Sequence, residues 1–370
     1  MDRNTEMAGG AGNQGPVECI HGNRIAKYRL PSTKYQLPNT GFKLPNHQIT
    51  HLPNRLKSMT PPTTSTEIRD ASRRIANHMR RTPVITLEDG AFGSRAHILL
   101  KLELLQHTGS FKPRGAFNCV LSSQVPEAGI VAASGGNHGA AAAYVAKQLG
   151  HRAEIFVPTI SSPNKVERFR HYGANVNIVG RNYAEALAAS KEKVAQTGAL
   201  AVHAYDDPHV LAGQGTLGME LEEQSGKLDS ILIAVGGGGL IGGMAAWYQK
   251  RTRIIGVEPE TAPTLTRSLE AGRLIDVETG GLAADSLGAR RVGALMFPIA
   301  QQYLERMVLV GDDDIRRAQT ELWRSLRIVA EPGGAAVLAA LLSGAYQPQP
   351  GERVCLVICG GNAELSGFPV

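Results

Sequence analysis

Lys112 is the residue whose setting first suggests chemistry. It lies in Gly109-Ser110-Phe111-Lys112-Pro113-Arg114-Gly115-Ala116, just after the apolar run from Ile98 to Leu105. Lysines are normally solvated and flexible. One pinned by a tight Gly-Ser-Phe turn and followed by a proline and a helix-starting stretch has lost that freedom. The chemistry that needs a held amine is attack on a carbonyl to form a Schiff base. A loop lysine with a packed stem is the competing reading, and the octapeptide alone does not separate the two.

A second feature does. Gly236-Gly237-Gly238-Gly239-Leu240 follows an apolar strand and runs into a helix. Bare backbone amides at a helix start, with the positive end of its dipole, form an anion cradle suited to phosphate. No Gly-Lys-Ser/Thr follows, so this is no Walker loop, and the glycine spacing is not the dinucleotide fingerprint. Close helix–strand packing explains two small residues more readily than four. Ser134-Gly135-Gly136-Asn137-His138-Gly139 and Cys359-Gly360-Gly361-Asn362 are two further glycine turns that follow strands. A Schiff-base lysine together with a phosphate cradle implies pyridoxal phosphate, whose aldehyde needs the first and whose phosphate needs the second.

The elements that must position these residues alternate. Strands are expected at Ile98–Leu100, Gly129–Ala133, Ala153–Val157, Val176–Val179, Ala201–His203, Ile231–Val235, Arg253–Val257 and Arg353–Ile358. Helices are expected at Thr66–Arg80, Arg114–Leu121, Gly139–Leu149, Pro163–His171, Tyr183–Thr197, Leu211–Gln224, Leu240–Gln249, Asp312–Leu326 and Gly334–Leu342. This β-α-β rhythm demands α/β architecture, with two open, twisted, mostly parallel sheets flanked by helices. Ligands of such sheets bind at the carboxyl ends of strands, where the three glycine turns fall.

The phrase from Lys101 through Gln106 and Gly109 to Ala116 resembles the cofactor-lysine motif of serine/threonine dehydratases, within the tryptophan-synthase-β-like pyridoxal-phosphate fold. Matching phrases follow in the family's order: Ser134–Gly139, Ala212–Thr216, Gly236–Leu240, Gly256–Pro259, Glu331–Ala335 and Cys359–Asn362. The resemblance runs from about Thr66 to the C-terminus. It implies that Lys112 holds the cofactor as a Schiff base and, once freed, removes the substrate α-proton. It implies that Phe111 packs beside the ring, that Asn137 bonds the 3′-oxygen, and that Gly236, Gly237, Gly238, Gly239 and Leu240 bind the phosphate. Ser134, Gly135, Asn137 and His138 would hold the substrate carboxylate. Cys359 falls where the family sets a neutral partner against the pyridine nitrogen, which favours β-elimination over long-lived carbanion chemistry. His138 as a packed helix-start residue and Cys359 as an ordinary buried thiol are the structural alternatives. Arg114, His203 and His209 are expected to be structural, and Gly242 and Gly243 to be helix-packing space.

Departures from the family narrow the expectation. Gly135 stands where serine racemases carry a hydroxyl, and Lys112-Pro113-Arg114 replaces the sulfhydrylases' Lys-Asp-Arg, so racemisation and cysteine synthesis are disfavoured. Of the family's cation site Glu258 is present, but Thr264 replaces its aspartate, so no metal is expected. The chain ends eight residues after Asn362, which leaves no room for a regulatory domain. The expectation is therefore an ammonia-lyase for L-threonine or L-serine. Its rivals are a lyase for phenylserine or 3-hydroxyaspartate and a non-catalytic pyridoxal-phosphate-binding protein. Residues 66–124 and 206–370 would form a large domain and 125–205 a small mobile one. A homodimer or homotetramer is the family's habit.

Composition bounds the rest. The 370 residues include 42 glycines and only four cysteines, with no disulfide or zinc spacing among them. No apolar stretch approaches the roughly 18 residues that span a membrane, so a cytoplasmic enzyme without membrane partners is expected. Of the net charge of +6, residues 1–58 carry about five, with eight Lys/Arg against three Asp/Glu. The remainder has no basic face, which disfavours a nucleic-acid partner. Residues 1–65, with their repeated Leu-Pro-Asn phrases, are too polar and Pro-punctuated to bury a core and are expected to be poorly ordered. Met59 is an alternative translation start.

Overall fold

Parallel strands covered on both faces read as unbroken apolar runs, and the chain builds two sheets from such runs. The structure is a computed structural model describing residues 63–364 and Phe368. The expected N-terminal extension up to residue 62, its Leu-Pro-Asn phrases, Cys19 and the alternative start at Met59 lie outside the described residues.

The larger sheet has six strands. In spatial order they are β1 (Val84–Thr86), β2 (His97–Lys101), β10 (Arg353–Val357), β7 (Ser230–Ala234), β8 (Arg253–Pro259) and β9 (Leu304–Val310). All pair in parallel except β1, which is antiparallel to β2. The smaller sheet is wholly parallel. Its order is β5 (Asn175–Ile178), β4 (Ala153–Val157), β3 (Ile130–Ala133) and β6 (Leu200–Ala201). Central β7 is buried at every position.

The helices are α1 (Ser65–Ile75), α2 (Lys112–Leu121), α3 (Asn137–Leu149), α4 (Pro163–His171), α5 (Tyr183–Thr197), α6 (Pro208–Ser225), α7 (Gly239–Tyr248), α8 (Thr264–Glu270), α9 (Ala284–Leu287), α10 (Met296–Tyr303), α11 (Asp312–Leu326) and α12 (Pro332–Leu342). Helices α3, α4 and α5 pack on the smaller sheet, and α7, α8, α10 and α12 on the larger. A capping box between Thr64 and Glu67 starts α1. That helix stops at Ile75 and ends in one 3-10 turn to His78, short of the expected Arg80, because Met79 is already extended. No described helix is long and apolar enough to cross a membrane.

Between Val257 and Asp312 the sequence expectation named no element, yet α8, α9, α10 and β9 lie there. Strand β9 escapes notice because it is an edge strand whose Glu305 and Arg306 face solvent. The glycines expected to serve packing do so. A Cβ on Gly243 would stand 2.4 Å from the Leu211 carbonyl of α6, and one on Gly242 would stand 2.7 Å from Met296 Cβ of α10.

Three apolar cores result, one around the larger sheet and one on each face of the smaller, and α2 lies at the boundary of the first two. Ala116, Phe117 and Val120 pack with β3, β4 and α3 in the core of the smaller sheet, whereas Phe111, one residue before α2, packs on the core of the larger. Lys112 is thus fixed where the two meet.

Candidate active site

Lys112 is the first residue of α2, delivered there by the chain after β2. Two single 3-10 turns (Glu103–Leu105 and His107–Gly109) lead to Ser110, which bridges to Gly360. Gly109 has φ +70°, and a Cβ there would stand 2.5 Å from Asn362 Oδ1, so only glycine fits this turn. Phe111 N–H donates to the Cys359 carbonyl at 3.1 Å, and Gly361 N–H donates to the Gly109 carbonyl at 2.9 Å. The lysine turn and the C-terminal glycine turn, about 250 residues apart in sequence, are therefore bound to each other.

A buried ionic network holds the other side of α2. Arg114, 2 % exposed, donates through Nε and Nη2 to the two Glu103 carboxylate oxygens, each at 2.8 Å, and through Nη2 to Glu220 at 2.9 Å. Lys101 Nζ donates to Glu220 at 2.6 Å and to the Thr82 carbonyl at 2.8 Å. Burial alone would depress the Arg114 guanidinium, and the two carboxylates more than offset it. Arg114 is structural, as expected, and it anchors α2 two residues after Lys112.

The Lys112 ammonium donates to the Ala204 carbonyl at 3.0 Å, its one protein partner among the described residues, and lies 5.1 Å over the Phe111 ring. Burial lowers its pKa to about 8, with Cys359 and Glu331 partly opposing the shift. An amine with one weak partner and a lowered pKa is available both to attack a carbonyl and to take a proton. Ser110 Oγ is fully buried and has no partner among the described residues.

Ala204 is followed by Tyr205, and Tyr205 covers the four-glycine loop. A Cβ on Gly237 would stand 2.2 Å from Tyr205 Cδ1, and one on Gly239 would stand 2.9 Å from Tyr205 Cβ. Gly238 has φ +88°. Among the described residues the amides of Gly236, Gly237 and Gly238 find no protein acceptor, and α7 begins at Gly239. These free amides and the helix start form an anion cradle that fits the phosphate of the implied cofactor. Leu240 is buried at the helix start.

The remaining predicted residues gather across the cleft. Asn137 opens α3; its Nδ2 donates to Glu331 Oε1 at 2.7 Å, and its Oδ1 accepts from Asn362 Nδ2 at 2.6 Å. The Ser134 hydroxyl accepts from Gly136 N–H at 3.2 Å. His138 is buried with Nε2 2.8 Å from the Val202 carbonyl; burial, with the Lys112 charge nearby, lowers its pKa to about 3, so the ring is neutral and donates there. A Cβ on Gly135 would stand 2.6 Å from Ser161 Oγ. Cys359 is buried with Sγ 3.7 Å from the Gly333 carbonyl, and burial keeps it a neutral thiol.

Glu258, the one acid of the expected cation site, is held by protein donors. Its carboxylate accepts from Leu265 N–H (2.7 Å), Thr266 N–H (2.9 Å) and the Thr266 hydroxyl (2.7 Å), so the first turn of α8 takes it up. Thr264, which replaces the expected aspartate, donates instead to the Ala289 carbonyl. Among the described residues no three His, Cys, Asp or Glu cluster as metal ligands.

Sequence reasoning missed several partners. Glu331 appeared only within a motif phrase, yet its buried carboxyl, pushed up to about 7 by burial, touches Asn137 and influences Lys112. Arg168 and Lys165 on α4 reach across to Asn362 and Asp285. Tyr205 and the Ala204 carbonyl were also unassigned. Apart from Glu331 preceding Pro-Gly-Gly at a helix start, no spacing in the chain marks these residues, because their role arises from contacts between the sheets.

Known proteins resemble this chain over most of its length. The family described as "Pyridoxal-phosphate dependent enzyme" matches residues 75–360. L-threonine ammonia-lyase of Geobacter sulfurreducens is 38% identical over 311 residues, covering 82% of this chain and 77% of that protein. Serine racemase of Arabidopsis thaliana is 36% identical over 315 residues, covering 81% of this chain and 93% of the other. The crystal structure of a threonine deaminase from T.th. superposes with a TM-score of 0.76 at 37% identity, covering 82% of this chain and 99% of that one.

Proposed function

We propose that this chain, which belongs to the family of pyridoxal-phosphate-dependent enzymes, is an ammonia-lyase acting on a small β-hydroxy amino acid, L-threonine or L-serine, with release of a 2-oxo acid and ammonia. The observation that carries the reading is Lys112: a partly buried amine with a pKa of about 8, held by the Ala204 carbonyl, whose next residue, Tyr205, packs on a four-glycine anion cradle. Relatives named threonine ammonia-lyase support the lyase class. The serine racemase relative leaves the choice between threonine and serine to experiment.

When bound, pyridoxal phosphate supplies an electron-withdrawing ring that stabilises negative charge at the substrate α-carbon. In this reading Lys112 holds the cofactor and, once released, takes the α-proton at its Nζ, for which a lowered pKa is suited. The amides of Gly236–Gly239 and Leu240 would hold the phosphate, and Phe111 would support the ring. Asn137 would bond the 3′-oxygen, and Cys359, a neutral thiol, would be the uncharged partner of the ring nitrogen. Ser134, Gly135, Asn137 and His138, with the amides at the start of α3, hold the substrate carboxylate. Residues 125–205 move against the rest of the chain to exclude water while the hydroxyl leaves. Racemisation is disfavoured because Gly135 offers no hydroxyl. The reading carries with it a cytoplasmic homodimer or homotetramer, which sedimentation of the purified protein tests.

The deciding experiment is borohydride reduction of the yellow protein followed by peptide mapping. A pyridoxyl label on Lys112, together with 2-oxo acid release from threonine or serine, is the expected result. A label on another lysine, or none, overturns the mechanism.

A further inference from the structure

A cavity of about 500 Å³ opens beside Asn137. Its lining takes in Gly136 and Asn137, from the turn assigned to the substrate α-carboxylate. Its wall is polar: Asn164, Lys165 and Arg168 of α4 face Asp285, Glu331 and Asn362.

The two cations differ. Lys165 is already neutralised by Asp285. Arg168, half-buried, donates through Nη1 to Asn362 Oδ1 at 2.7 Å and through Nη2 to the Thr108 carbonyl at 2.5 Å, both uncharged acceptors. No carboxylate among the described residues pairs with it. A guanidinium carries five N–H donors in a rigid fork shaped for carboxylate, and a half-buried cation without a counter-ion is stabilised by any anion that enters. The nearby acids do not take that part. The Glu331 carboxylate is bound by Asn137, and Glu364 is exposed. Asn362 links directly to Asn137, so Arg168 stands two hydrogen bonds from the turn assigned to the substrate α-carboxylate.

We propose that Arg168 receives a second carboxylate, carried on the substrate β-carbon, so that the site takes β-hydroxy dicarboxylic amino acids of the 3-hydroxyaspartate type. The proposal rests on the ammonia-lyase reading above and specifies the side chain. The Cα–H bond breaks with its proton going to Lys112, and the Cβ–O bond breaks with the hydroxyl leaving as water. Hydrolysis of the resulting enamine returns that water and releases ammonia. Hydroxyaspartate thus gives oxaloacetate and ammonia with no oxidant or reductant.

The test compares 3-hydroxyaspartate, L-threonine and L-serine on the wild-type holoenzyme, Arg168→Lys and Arg168→Met, with calorimetric binding of succinate and butyrate as a readout that needs no turnover. Wild type is expected to release 2-oxo acid from 3-hydroxyaspartate. Arg168→Met should lower kcat/KM for it about 10- to 100-fold more than for threonine, the range of a charge-assisted hydrogen bond, mainly through KM, with Arg168→Lys in between. Succinate should bind wild type more tightly than butyrate and lose that advantage in Arg168→Met. Equal losses on all substrates would make Arg168 a structural clasp and overturn the proposal, as would equal binding of the two probes to wild type. Absence of turnover on every substrate would sink the lyase reading instead, and the succinate comparison would still decide the role of Arg168.

Discussion

The Asn137 amide donates to the Glu331 carboxylate at 2.7 Å, joining the first turn of α3 to the loop that begins α12 across 194 residues of sequence. The contact puts a buried acid within electrostatic reach of Lys112, a role that the motif phrase Glu331–Ala335 did not assign. Burial pushes Glu331 up to about 7 from an ordinary 4.5, while the Asn137 hydrogen bond partly opposes the shift. The folded protein therefore holds a proton that the unfolded chain has already lost between pH 4.5 and 7. Stability from this group is complete below 4.5 and is lost as pH rises through about 7. Glu331→Gln removes that slope. Urea unfolding of the apo-protein at about pH 5 and about pH 8 should show wild type losing more stability across the interval than Glu331→Gln; equal losses would refute the assignment.

Lys112 carries the proposed chemistry. Lys112→Ala should bind no cofactor covalently, stay colourless and lose turnover by about 10²- to 10⁴-fold or more, the contribution of a positioned base. With its pKa lowered to about 8 by burial, acylation of Lys112 in the apo-protein should rise with a midpoint at about pH 8. A midpoint near that of the surface lysines would contradict its burial.

The glycine cradle makes a steric prediction. Gly237→Ala places a methyl 2.2 Å from the Tyr205 ring, so that ring or the loop must shift. Cofactor affinity, measured by the PLP concentration restoring absorbance to apo-protein, should weaken. The double change Gly237→Ala with Tyr205→Ala should recover part of the loss, and full additivity of the two losses would rule out direct contact.

Arg114→Met leaves the Glu103 carboxylate buried without its bidentate partner. Breaking such a pair from one side costs about 3–5 kcal/mol, so the denaturation midpoint should fall sharply. Arg114→Lys keeps the charge but loses the fork, and should fall between the two. A loss below about 1 kcal/mol would place this network among weak surface pairs.

Much of this architecture was readable from the chain because it is written locally. Strand Ala153–Val157 and helices Pro163–His171, Tyr183–Thr197 and Asp312–Leu326 stand at their expected bounds, since apolar periodicity, a proline or acidic first turn and chain stops such as Gly198 all act within a few residues. The glycine turns fall where expected, at the carboxyl ends of β3, β7 and β10. The unread stretch from Val257 to Asp312 has short helices and an edge strand whose identity depends on what they pack against.

By itself the sequence determined the α/β alternation, the constrained turn around Lys112 and the phosphate-shaped glycine run, because backbone freedom and periodicity belong to neighbouring residues. Only the tertiary structure decided which groups come together around the site: the Ala204 carbonyl on Lys112, Tyr205 over the cradle, Glu331 against Asn137, and Arg168 at the cavity wall. Those groups come from segments tens to hundreds of residues apart. Their desolvation and pairing, which set charge and specificity, exist only once the two sheets close on one another.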